Sequence, residues 1–417
     1  MSIAPPKSRD DRLDAVSRWT RALAAFTNAL IVCACGPIEN TTHTGADDTD
    51  SVQRAVDAGG LVRFAPRTYH LSRTIVIRQS NTIIQGAGPQ TVFQFEARAV
   101  KEHCANDRVF TTPCETYFGQ PARRIAGAIA IGDRAFSAAD DASDVEPGDW
   151  LLITDRDSVV GDVVAVDWVQ VESVSAARVS VRTPFRAAFA NARAWRPGVS
   201  GLGFRRMAPL IQNIEFRNFN LFVPPDSSAV GISVIAALNT TIDHVLADSF
   251  DGQPLYSYVS KELSITNSEG RGHGVLSEFA ATVDLSVHGN RFSEADAAAV
   301  GIDLGTAFFD VSNNSLDMSR NLGAYLLYGV HDGSFSENTL GFVSSAGNAF
   351  GILAWGTQRV SISNNYLAGG EGLKSTGISV RSYAGEVPIP SIDVALSGNT
   401  FGSEWALDYE PGTKAGP

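Results

Sequence analysis

Val311-Ser312-Asn313-Asn314-Ser315-Leu316 decides how this chain is read, because its pattern occurs four more times. An apolar residue, two small or polar residues, an asparagine, one spacer and a second apolar residue also form Val287-His288-Gly289-Asn290-Arg291-Phe292 and Phe335-Ser336-Glu337-Asn338-Thr339-Leu340. The remaining copies are Ile362-Ser363-Asn364-Asn365-Tyr366-Leu367 and Leu396-Ser397-Gly398-Asn399-Thr400-Phe401. The asparagines at 290, 314, 338, 365 and 399 lie 24, 24, 27 and 34 residues apart. A period of this size marks a solenoid in which each repeat is one coil.

Between these copies runs a second phrase, a glycine followed by alternating residues. It is seen at Gly231-Ile232-Ser233-Val234, Gly274-Val275-Leu276-Ser277, Gly301-Ile302-Asp303-Leu304, Gly323-Ala324-Tyr325-Leu326, Gly351-Ile352-Leu353-Ala354 and Gly377-Ile378-Ser379-Val380. Alternation with period two predicts strands, and β-branched residues suit a pleated surface. Each coil therefore holds at least two short strands with glycine-assisted corners and no helix, which is a parallel β-helix. The recurring asparagines are expected to sit at left-handed corners and to bond their neighbours in the next coil through the side-chain amide, a structural role and not a catalytic one.

The rest of the chain sets limits. At 417 residues it can bury a sizeable core, and its net charge of −12 disfavours nucleic acid, whose phosphates call for a basic face. Lys7, Arg9, Arg12, Arg18 and Arg21 precede an apolar run from Ala22 to Cys35, too short for a membrane span and suited to a secretory leader. Val32-Cys33-Ala34-Cys35-Gly36 resembles a bacterial lipobox, so that cleavage before Cys35 would leave a lipidated N-terminus. Cys104 and Cys114 are the remaining pair, and a disulfide between them fits an oxidising compartment, while no histidine pair accompanies them to make a zinc site.

After the leader, Thr49 or Asp50 can cap a short helix with Val52, Ala55 and Val56 on its apolar face, ended by Gly59-Gly60. Strands are predicted at 61–64, 74–77 and 82–84. This order, with Phe64-Ala65-Pro66, Tyr69-His70-Leu71 and Asn81-Thr82-Ile83-Ile84-Gln85-Gly86-Ala87-Gly88, resembles the N-terminal coil of the pectate-lyase superfamily over roughly Gly45 to Phe95. That resemblance implies a right-handed parallel β-helix whose helix caps the open end of the solenoid. It implies little about chemistry, since the group spans polygalacturonase-related hydrolases, polysaccharide lyases, epimerases and phage tailspikes. From 97 to 209 the coil rhythm stops, and Val145 to Val181 reads as antiparallel strands of a small β-rich insertion with Trp150, Trp168 and Trp195 in its core. The expected division is a leader over 1–35, cap and first coils over 40–96, insertion over 97–209, main solenoid over 210–405 and a tail over 406–417.

Alternation also assigns faces. With Ile232, Val234, Val275, Ile302, Leu304, Leu326, Ile352, Ile378 and Val380 directed inward, the outward column reads Ser233 and Ile235, Tyr256 and Tyr258, Leu276 and Glu278, Asp303 and Gly305, Tyr325 and Leu327, Leu353 and Trp355, Ser379 and Arg381. Such a column suits an extended sugar chain, with rings stacking on Tyr256, Tyr258, Tyr325 and Trp355 and charged groups met by Arg381 and Arg271. Glu278 and Asp303, on neighbouring coils and two residues out of step, have Cα atoms roughly 8 Å apart. That spacing lets a carboxyl pair act as general acid and base in glycoside hydrolysis. Arg271-Gly272-His273-Gly274 resembles the Gly-His-Gly element of polygalacturonases, although the paired-aspartate and Asn-Thr-Asp elements are not legible upstream and no Arg-Ile-Lys follows. It makes His273 a third catalytic candidate. His331-Asp332 is a further pair, with the order of the alginate-epimerase Asp-Pro-His site reversed.

The expectation is an exported, surface or periplasmic protein acting on an extracellular polysaccharide, as a glycoside hydrolase or a polysaccharide lyase, with membrane contact only through a lipid anchor. The other reading is a non-catalytic glycan-binding or adhesive protein. No cofactor or metal is expected, except a divalent cation such as calcium if the reaction is a lyase elimination.

Overall fold

In a computed structural model, the described residues are 46–96, 108–197, 199–223, 229–250, 253–272, 275–295, 297–318, 322–342, 350–368, 375–383, 385, 387–402, 405–409 and 415–416. The leader, Cys35, Cys104 and His273 lie outside them. Nearly all of the ordered structure is β, wound into a right-handed parallel solenoid of about 12 turns.

Each full coil carries three strands, one more than the minimum expected. The coil beginning at Val275–Ala280 continues through Val283–His288 and Arg291–Ala295, and the next repeats it as Ala298–Asp303, Ala307–Ser312 and Ser315–Met318. Stacking builds a 10-stranded parallel sheet from the first strand of every coil and a 19-stranded sheet from the other two, with Phe279, Val300, Ile302, Leu326, Ile352 and Val380 filling the lumen.

The asparagine ladder forms, with its corner displaced by one residue. Asn290, Asn314, Asn338 and Asn365 are buried, and the left-handed residues are the ones before them: Gly289, Asn313, Glu337 and Asn364. The ladder position needs inward amide geometry, so the corner residue takes the positive φ. Asn314 Nδ2 donates to Asn338 Oδ1 at 2.9 Å and to Val287 O at 2.9 Å, while its Oδ1 accepts from Asn290 N at 2.9 Å and Asn290 Nδ2 at 3.0 Å. Every amide atom is thereby satisfied inside the wall.

At the N-terminal end, helix Thr49–Asp57 buries Val52 and Val56 against the lumen. Its cap residue is Asp48, before the expected Thr49 or Asp50, because Thr49 itself is buried and its N–H donates to Asp47 Oδ1 at 2.9 Å. Gln53 closes the edge of strand Ile75–Val76, its Nε2 donating to Val76 O at 2.8 Å and its Oε1 accepting from Val76 N at 2.9 Å. A side-chain amide thus stands in for the strand missing beyond the first coil. No helix among the described residues is long and apolar enough to cross a membrane.

Between the first coils and the main solenoid the chain makes a closed antiparallel barrel. Its strands, in order around the barrel, are Asp162–Ser175, Arg178–Val181, Ala135–Ala138, Arg123–Ala126, Gly201–Arg206 and Trp150–Asp157. Leu151, Ile153, Val169, Phe136, Phe185 and Phe204 form its own core.

Trp168 faces a different neighbour. With Val160, Val163, Val164 and Val166 it packs on Tyr258, Ala280, Leu304, Leu327, Tyr328, Leu353 and Trp355 of the 10-stranded sheet. The barrel therefore lies on the outward column. At Gly329 a Cβ would come 1.9 Å from Val164 O, so the bare corner is what lets the barrel strand approach. Arg186 fixes the same seam with a two-pronged pair to Asp284, at 2.7 and 2.9 Å, while its guanidinium lies 3.9 Å from the Phe308 ring centroid.

A carboxyl pair under the barrel as the candidate active site

Strand register places the outward residues in two rows. Tyr256 pairs with Glu278, Glu278 with Gly301, Gly301 with Tyr325, Tyr325 with Leu353 and Leu353 with Ser379. Two residues along, Tyr258 pairs with Ala280 and Ala280 with Asp303, while Leu327 pairs with Trp355 and Trp355 with Arg381. Glu278 and Asp303 therefore lie on adjacent strands with the expected two-residue offset. Three faces differ from the sequence reading: Leu304, at a positive φ just after Asp303, packs outward under the barrel, and on strand Val275–Ala280 Leu276 joins the lumen core while Val275 packs outward. The strand starts with an irregular step that simple alternation does not anticipate.

The column is not the open groove that the sequence suggested. Glu278 is 4% exposed, Asp303 3%, Tyr325 2% and Trp355 6%, because the barrel roofs them. Tyr256 and Gln253 are half-buried, and mark the side on which the row comes nearest solvent.

Burial dominates the electrostatics. Glu278 accepts hydrogen bonds from Gln253 Nε2 and from the Tyr325 hydroxyl, which favour its charged form, yet desolvation outweighs them and raises its pKa to about 7. The reach of Tyr325 depends on Gly301, where a Cβ would sit 2.2 Å from Tyr325 Cζ and 2.3 Å from its hydroxyl oxygen. Asp303 is raised well above an ordinary aspartate, first by burial, then by the Glu278 charge and by Asp162. Its Oδ1 is buried with no hydrogen-bond partner on the protein. An unpaired buried carboxylate oxygen costs stability without any structural return, which is a mark of functional sites.

The barrel adds a third carboxylate that no sequence pattern singles out. Asp162 Oδ1 accepts from the Tyr258 hydroxyl at 2.8 Å and pairs with Arg156 at 3.1 Å. On the other flank Arg108, itself buried, donates to Ser233 Oγ at 2.7 Å and lies 5.8 Å from the Tyr256 ring centroid. Neither Asp162 nor Arg108 falls in a coil-periodic phrase, so no spacing signal could have joined them to Glu278. Among the described residues, no group of three His, Cys, Asp or Glu side chains is arranged to hold a metal ion.

The remaining candidates separate. Trp355 Nε1 donates to Ser379 Oγ at 3.1 Å, and Arg381, 5.7 Å from the Trp355 ring centroid, donates from Nε to Asp408 at 3.0 Å. Arg271 lies on the 19-stranded sheet, paired to Glu269 at 2.7 Å, and is not part of the column. His331 and Asp332 also occupy that sheet, where Asp332 accepts from His331 Nδ1 at 2.7 Å and from both prongs of Arg359 at 2.6 Å. Cys114 is disulfide-bonded, and its partner is outside the described residues.

Among solved structures, the chain is similar to the Gp54 tailspike of Acinetobacter baumannii bacteriophage AP22, solved with an A. baumannii capsular saccharide. The TM-score is 0.55 at 15% identity over 87% of this chain, which spans only 56% of that tailspike. The likeness is one of fold, the parallel β-helix. Two more β-helix structures match with TM-scores below 0.5 and add nothing to the argument. They are the tailspike gp61 of Pseudomonas phage phi297, at 0.49 and 11% identity over 90% of this chain and 73% of that one, and the mannuronan C-5 epimerase AlgE4 A-module of Azotobacter vinelandii, at 0.42 and 12% identity over 89% and 96%. No family model and no curated protein matches the chain. At this identity the likeness reaches the path of the backbone and no further.

Proposed function

We propose that this chain is an exported, polysaccharide-active β-helix enzyme that hydrolyses glycosidic bonds with Glu278 and Asp303 as its acid–base pair. The observation that carries the proposal is the pair itself: two buried carboxyls on adjacent strands, both held protonated beyond their ordinary range, one of them with an unpartnered oxygen. Asp303, whose proton is held by burial and by the Glu278 charge beside it, can give that proton to the leaving glycosidic oxygen. Glu278, with a pKa of about 7, is ionised in part near neutral pH and takes a proton from the water whose oxygen bonds to the anomeric carbon as the carbon–oxygen bond breaks.

Because both carboxyls are closed off in this structure, a sugar reaches them only after the seam between barrel and sheet parts. The half-buried Gln253 and Tyr256 lie on the nearest side. The capsular saccharide in the similar tailspike supports a polysaccharide ligand outside the cell. An apolar leader ending at Cys35 supports export with a lipid-anchored N-terminus.

Product analysis on neutral and uronate polysaccharides tests the proposal. New reducing ends that vanish in Glu278→Gln and Asp303→Asn support hydrolysis, and unsaturated ends absorbing in the ultraviolet indicate a lyase. Binding without any product, in the parent as in both variants, indicates the non-catalytic glycan-binding reading.

A further inference from the structure

Phe118 is an exposed aromatic ring beside the roofed site, outside the column of residues expected to bind sugar. It is 62% exposed, more than any other large apolar residue described. A single exposed apolar side chain is ordinary, but this one is held in place. It ends the short helix Glu115–Phe118, which follows the disulfide-bonded Cys114. Thr116 Oγ1 donates to Pro209 O at 2.9 Å, and Gln120 Nε2 donates to Ala208 O at 2.7 Å.

The ring lies nearly parallel to Tyr258, 9° between planes with centroids 6.1 Å apart, and edge-on to Tyr117 at 5.0 Å. Tyr258 is the next ring inward, in register with Ala280 and Asp303 and hydrogen-bonded to Asp162. Polar groups border the shelf: Arg156 donates to the Tyr117 hydroxyl at 3.0 Å, and the Arg205 guanidinium sits 4.7 Å from the Tyr117 ring centroid.

We infer that Phe118 is a sugar-stacking platform that seats the apolar face of a pyranose ring at the outer end of the aromatic run Phe118–Tyr258, beside the carboxyl pair. A flat ring fixed by backbone contacts offers the axial C–H groups of a sugar a contact with little ordering cost, and Arg156, Arg205 and Asp162 offer partners to its hydroxyls. This inference rests on the polysaccharide reading above and extends it to a residue outside the chemistry.

The test is retardation of the parent protein and its variants in native gels cast with dextran, alginate or polygalacturonate. Phe118→Ala and Phe118→Leu are expected to weaken retardation about tenfold, as loss of one stacking contact implies. Phe118→Trp is expected to keep it. Ile131→Ala, at another exposed apolar position on the barrel, should change nothing. If Phe118→Ala migrates like a retarded parent, or Phe118→Leu keeps full retardation, the stacking role is overturned while the polysaccharide reading stands. If the parent is retarded by none of the three, the polysaccharide reading itself falls and takes this inference with it.

Discussion

Replacing Glu278 with glutamine should make the protein more stable, and only above a definite pH. The carboxyl sits at about 7 instead of the ordinary 4.5, chiefly because burial penalises its charge. At 1.36 kcal/mol per unit, ionising it in the folded protein costs about 3 kcal/mol relative to the unfolded chain. Between those two values the folded state holds a proton that the unfolded chain has released, so stability falls as pH rises through the window and levels off above it. Glutamine keeps the shape and does not titrate. The parent and Glu278→Gln should therefore be similar near about pH 4, and the variant should lead by about 3 kcal/mol near about pH 8. Asp303 still titrates in the variant, but without the Glu278 charge beside it its pKa moves down. Guanidinium unfolding midpoints of both proteins across this range measure the difference. Stability curves that run parallel from acid to alkaline pH would refute the burial argument, and with it the assignment of Glu278 as the group that titrates near neutrality.

Three other outcomes follow from single contacts. Trp355→Ala should cost about 3 to 5 kcal/mol by thermal or chemical unfolding, since the indole is packed under the barrel and is not a surface ring. Asn338→Ala removes a donor to Asn365 Oδ1 and Val311 O and the acceptor for Asn314 N and Nδ2, so it should cost about 3 kcal/mol or more and lower the unfolding midpoint accordingly. Gly301→Ala should push the Tyr325 ring off Glu278, costing about 1 to 3 kcal/mol and shifting the acid pair's titration upward as a charge-stabilising hydrogen bond is lost. Carbonyl infrared bands of the acid pair, followed against pH, measure that shift.

The solenoid was written in the sequence because a coil is a local object. Each apolar position and each ladder asparagine must stack on its counterpart one coil later, so one requirement is imposed at a near-constant spacing, and Asn290 to Asn399 display it. Strand alternation likewise fixed which side of each strand faces the lumen at Ile302, Ile352 or Val380, and hence put Glu278 and Asp303 on the same outer face. What covers that face was decided only in three dimensions. The barrel strand Asp162–Ser175 precedes the residues it roofs by roughly 100 positions or more in sequence, and its own pattern serves a separate core. Its strands share no period with the coils, so nothing in their spacing says which outward residues they meet. The fold brings Val164 against Gly329, Arg186 against Asp284 and Asp162 against Tyr258 through contacts that obey no repeat. The sequence therefore determined a wall with two acids on it, and tertiary packing determined that those acids are buried, because desolvation depends on what lies against a residue and not on the pattern that placed it.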